Sequence, residues 1–195
     1  MAIRSLKTGA MSRSALAGNP VIMPGSFESI ATVSGNGSSS SFTFSSIPAT
    51  YSHLQVRLIS RGTRAFASEQ LYIRLNGDGA SNYAYHYVYG DGSGAAAGLN
   101  TSVSVFLVTE FPGGNETSNI YSSSVIDILD SNSSNKNTTM RAITAYDNNG
   151  NTGSYTGKVW VASGLWMNTA AVTSLTVLSN GAFASNTSIA LYGVN

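Results

Sequence analysis

The chain has no cysteine, which excludes disulfides and thiolate metal sites. Charge is also scarce. Charged residues make up 10% of the chain, against about 25% in ordinary soluble domains. The net charge is +1, so no bulk attraction to nucleic acid is expected. No apolar run is long enough to span a bilayer, so no membrane partner is expected. The N-terminus lacks the apolar core of a signal peptide, which predicts synthesis in the cytoplasm. On that reading the Asn-x-Ser/Thr sequons at Asn36, Asn100, Asn115, Asn132, Asn137 and Asn186 are by-products of composition. There is no G-x-S-x-G nucleophile motif, and the glycine-rich stretch 90–98 is not followed by the Gly-Lys-Ser/Thr of a phosphate loop.

Ser, Thr, Asn and Gly stand where charge is missing. These residues compete for helical backbone hydrogen bonds and suit strands better. Hydrophobic residues reach 42%, enough for a core. At 195 residues the chain is one domain with room for an appendage.

Alternation is the dominant signal. Phe27, Ser29, Ala31 and Val33 share one parity, with Glu28, Ile30 and Thr32 on the other. After the turn Ser34-Gly35-Asn36-Gly37, Phe42 and Phe44 point one way, and Ile47-Pro48 stops that strand. Leu54, Val56 and Leu58 then alternate with Gln55, Arg57 and Ile59. Further strands are expected at 70–75, 82–89, 102–111, 119–129, 140–146, 158–166, 172–178 and 188–194. The segment 90–98 reads as a flexible loop. About ten strands and no helical periodicity predict an all-β, antiparallel β-sandwich.

Residues 1–25 differ. Glycine and proline punctuate them, yet they carry Ile3, Leu6, Leu16, Val21 and Ile22 together with Arg4, Lys7 and Arg13, and no acid. Apolar side chains need a surface, and the cations could pair with carboxylates there. Residues 1–25 read as a disordered tail or, preferred here, as an extended N-terminal arm that binds a partner, ahead of a body of residues 26–195.

Candidate chemistry in the body is sparse. His53 and His86 are the two histidines, and Asp91 follows His86 closely in sequence. Asp127 with Asp130, and Glu110 with Glu116, are the carboxylate pairs a glycosidase would need, although strand-end acids commonly hold turns. Asp147-x-Asn149-x-Asn151 has the spacing of a calcium-loop start without its later glutamate, so Asx-turn chemistry is preferred. No catalytic, metal or cofactor site is assigned. The row Tyr83, Tyr85, Tyr87 and Tyr89 can pack a core, stack on a glycan or meet another subunit.

Several segments together carry a resemblance: SLKTGAMSRSALAGNP, PGSFESIATV, FSSIPATYSHLQVR, LNGDGASNYAYHYVYGDGS, VIDILD, GLWMNTAAVTS and the closing ALYGV. The chain resembles small β-rich structural proteins of tailed bacteriophages of marine and freshwater type. The resemblance covers nearly the whole chain. It implies a virion component with a jelly-roll-like body, assembled in the host cytoplasm, and no enzymatic activity. The first expectation is a capsid decoration or cement protein on the particle exterior. It would be a homotrimer that binds other virion proteins through the arm. A tail fibre or receptor-binding module contacting host surface glycan is the alternative, and a polysaccharide depolymerase ranks last.

Overall fold

The computed structural model describes residues 27–149 and 157–195. The arm residues singled out above, Ile3 to Ile22, lie outside them, as does Asn151. The described residues contain no helix. They form strands β1 (Phe27–Ser34), β2 (Ser41–Phe44), β3 (His53–Ser60), β4 (Ser68–Leu75), β5 (Tyr83–Gly90), β6 (Ala95–Val103), β7 (Phe106–Pro112), β8 (Ser122–Leu129), β9 (Thr138–Asp147), β10 (Gly157–Trp166), β11 (Leu175–Ser179) and β12 (Ser188–Val194).

Two antiparallel sheets make the sandwich. The larger has eight strands in the order β1-β12-β3-β8-β9-β10-β5-β6, and the smaller has four in the order β2-β11-β4-β7. The nesting is that of a jelly roll: first pairs with last, second with second-last, and the chain shuttles between sheets. Strands β1-β12-β3-β8 and β2-β11-β4-β7 are its two halves. Two hairpins, β5-β6 and β9-β10, are inserted into this frame. They pair with each other through β10 and β5 and double the width of the large sheet.

The core sits between the sheets. Val56, Leu58, Ile126, Ile128, Ile189 and Leu191 come from the large sheet, and Leu71, Ile73, Val177 and Leu175 from the small one. Phe106 and Val108 are buried on β7, which lies against β10, β9 and β5. A Cβ on Gly164 of β10 would run into the Phe106 ring, so that glycine admits the close approach of β7.

Polar groups fix the connections. Asn76 and Gly77 have φ of 51° and 66°, and the Asp78 amide bonds the Leu75 carbonyl at 2.9 Å, a turn that sends the chain from the small sheet to the large one. The Arg61 guanidinium donates to the Thr117 and Glu116 carbonyls, each at 2.6 Å, and to that of Ile120 at 3.0 Å, holding the loop after β7.

Three local expectations need correction. The segment 90–98 is not one loop, because residues from Ala95 onward form β6 along β5. Alanine and glycine are poor strand formers alone, but tertiary pairing overrides propensity. Here Gly98 leaves room for the Tyr87 ring, which a Cβ would strike. The expected strand 102–111 is two strands, because the chain leaves the large sheet after Val103 and enters the small one at Phe106, β6 pairing with β5 and β7 with β4. In β1 a bulge between Ser29 and Ala31 breaks the parity, leaving Phe27 exposed while Ala31 and Val33 pack on the core.

Candidate functional site

The inserted hairpins carry most of the side chains that could meet a partner, on the two faces of one sheet. On the inner face, β5 lines up its tyrosines. Tyr83 is fully buried, and its hydroxyl accepts the Leu75 amide at 2.8 Å and donates to the Leu75 carbonyl at 3.3 Å. Burial pushes its pKa up to about 12. Tyr85 is also buried, edge-on to Phe106, with the Asn100 amide donating to its hydroxyl at 2.8 Å. Neither ring can contact a glycan or a subunit, so the row is a surface feature only at its far end.

Tyr87 and Tyr89 are half-buried. They stack on Trp160 with centroid distances of 4.3 and 5.0 Å. The Lys158 ammonium lies 4.7 Å from the Tyr89 centroid and pairs with Glu110. Trp160 is buried, and its indole N–H has no hydrogen-bond partner among the described residues. The result is an aromatic ledge closed on one side by an ion pair.

The outer face is different. Cross-strand pairing puts Val125, Ile143, Val161, Val88 and Ala97 in one row over five adjacent strands. Ile143 is 59% exposed and Val161 44%. Val159 on β10 and Leu99 on β6 extend the apolar area to either side, and both are exposed. A polar row borders it. Asp127 accepts from Gln55 and Arg141, both at 2.8 Å, and Ser163 and His86 continue the line.

The remaining candidates are placed structurally. His86 points outward, away from the tyrosines, and Asp91 accepts the Ser93 and Gly94 amides in the β5-β6 turn, so Ser-His-Asp geometry does not form there. The Ser93 hydroxyl bond is the main cause holding the Asp91 carboxyl below its ordinary range. His53 Nδ1 accepts the Asp130 amide at 2.8 Å, so that nitrogen is bare, and the carboxylate 3.7 Å away makes no hydrogen bond to it. Asp130 instead pairs with Lys136, which lowers its pKa. Glu110 pairs with Lys158, while Glu116 caps Thr117 and accepts from Asn148. Asp147 accepts the Asn149 amide at 2.7 Å, an Asx turn. Among the described residues no three His, Cys, Asp or Glu side chains are grouped to hold a metal.

Sequence reasoning missed the outer row. Its signal is present: β9 and β10 carry apolar residues at both parities, Ile143 beside Ala142 and Val159 and Val161 beside Trp160 and Ala162, as a strand buried on two faces would. No model of a known protein family matches the chain, and no curated protein matches it.

Proposed function

We propose that this protein is an accessory structural component on the exterior of a tailed-phage virion, held there by residues 1–25. The observation that carries the proposal is the jelly-roll strand order of the body, following a leader with apolar residues, three cations and no acid. Jelly rolls recur in viral capsid and lectin domains, which raises the likelihood of such a role by analogy of fold alone. The low charge fits dense packing of copies on a particle, because neighbours meet little like-charge repulsion. Decoration or cementing of the capsid is the preferred placement. Burial of Ile3, Leu6, Leu16, Val21 and Ile22 against the particle supplies about 25 cal/mol per Å² before ordering costs. The test is incorporation. A chain lacking residues 1–25 keeps the body's circular dichroism and is absent from purified particles, whereas full incorporation refutes anchoring by the arm.

A receptor-binding role at the tail is the second reading, favoured by one observation, the half-exposed Tyr87 and Tyr89 on Trp160. It requires saturable binding to host surface polysaccharide that Tyr89→Ala abolishes. Copy number per particle separates the two placements: decoration scales with the capsid lattice, a tail protein with the few-fold symmetry of the tail.

A further inference from the structure

Of the ten large hydrophobic side chains left exposed among the described residues, seven lie on the outer face of the large sheet between β3 and β6: Ile59, Val88, Leu99, Val125, Ile143, Val159 and Val161. Five strands at about 4.8 Å spacing make the central row about 19 Å across. A contiguous apolar patch of that span marks an interaction site. A shallow depression of about 610 Å³ opens on it, lined by Val88, Ala97, Leu99, Val161, His86 and Arg141 among others.

We propose that this face is the contact between two copies of the chain, stacked sheet on sheet about a two-fold axis. The occupant follows from complementarity. Let the axis run along the strands, midway between β9 and β10. Each β9 then lies over the other copy's β10, and each β8 over the other copy's β5. Ile143 meets Val161 of the second copy, and Val125 meets its Val88. In the bordering row Asp127 comes over His86 of the second copy, an acid over an imidazole, and Arg141 comes over its Ser163. Flat β-branched surfaces about 10 Å apart are the ordinary way two sheets pack. With a net charge of only +1 each, the two copies repel little. Residues 1–25 fit the face less well. They bring Arg4, Lys7 and Arg13, three cations and no acid, to a border where the cations Arg57 and Arg141 already outnumber the one carboxylate, Asp127. The pairing is independent of the virion reading and replaces the three-fold association expected above with a two-fold one.

The full-length chain is tested by sedimentation over a concentration series. The expected mass is twice 20.3 kDa. Ile143→Glu and Val161→Lys each weaken self-association by at least about tenfold, because each buries an unpaired charge twice per pair. Mixing the two variants restores association, because the introduced carboxylate of one chain then faces the introduced ammonium of the other. Both sites are exposed, so folding, followed by circular dichroism, is retained. Should either charge variant unfold, Ile143→Thr reads the same contact as a several-fold weaker association. Wild-type chain that stays monomeric or forms three-chain particles overturns the proposal. So do association unchanged in Ile143→Glu, or in Ile143→Thr where that variant is used, and failure of two folded, monomeric variants to associate on mixing.

Discussion

The large sheet has two halves with one strand grammar and different outer surfaces. In the jelly-roll half, β3 turns Gln55 and Arg57 outward, and the Arg57 guanidinium lies 5.3 Å from the Phe27 ring centroid and 5.2 Å from that of Tyr192. Its apolar rings are therefore covered by the chain's own cation. In the inserted half, Ile143, Val159 and Val161 stand exposed. Inner faces show no such contrast, since both halves contribute buried side chains to one core. Alternation with polar residues on one parity marks a strand whose second face is solvated, and apolar residues on both parities mark one that takes a second layer. The insertions thus extend an outer apolar surface that begins at Ile59 and Val125 of the frame.

Breaking the inner face should be most costly. Trp166 is fully buried where β10 meets the turn after β4, stacked 6.4 Å from Tyr83, with its indole N–H on Asp78 Oδ2 at 2.8 Å. Trp166→Ala is expected to cost about 3–5 kcal/mol, read as a lower midpoint in urea denaturation. A loss under about 1 kcal/mol would show that the inserted strands are not part of the cooperative core.

Tyr83→Phe keeps the ring and removes the hydroxyl, leaving the buried Leu75 amide and carbonyl without that partner. The expected loss is about 1–3 kcal/mol. The pH dependence sharpens it. The folded pKa is raised from 10.0 to about 12, so this contribution is complete below pH 10 and is lost as pH rises through about 12. Alkaline unfolding of the Phe variant should lack that component, and an identical alkaline limb in both proteins would place Tyr83 in a wetter site.

The sandwich and most strands were legible because the core parities are regular: Leu54, Val56 and Leu58 alternate as expected and are all buried. The β6 strand was not legible, because its small residues signal a loop until Tyr87 is seen lying on Gly98. The tyrosine row was legible as a row but not as half core and half ledge. That division depends on how deeply the rest of the fold buries each ring, a long-range fact absent from local pattern. The outer apolar row is spread over five strands distant in sequence, and only their pairing order assembles it.

A smaller effect is expected at Asp78, which ties the turn after β4 to β10. Its carboxylate accepts from Asn82 and Trp166, each with a 2.9 or 2.8 Å bond, and from the Ala80 amide. These bonds, Asn82 first, hold its pKa below the ordinary 3.8. A depressed folded pKa contributes stability above the ordinary value and loses it as pH falls through the folded one. Asp78→Asn, with one acceptor oxygen instead of two, should cost about 0.5–1.5 kcal/mol at neutral pH, with the difference from wild type fading in acid. A difference that persists at low pH would mean that the carboxylate charge is not what the turn uses.

The smallest effect on folding should come from the outer row. Val161→Thr keeps the β-branched shape and strand propensity at an exposed position, so its change in unfolding free energy should stay within about 0.5 kcal/mol at concentrations where the chain is monomeric. At higher concentration the same variant should lose stability relative to wild type, because a face used for association contributes to stability by mass action. That concentration dependence separates a surface that holds the chain together from one that holds two chains together. A penalty as large as that of Tyr83→Phe in dilute solution would assign Val161 to the monomer's own core and remove the contrast between the two halves.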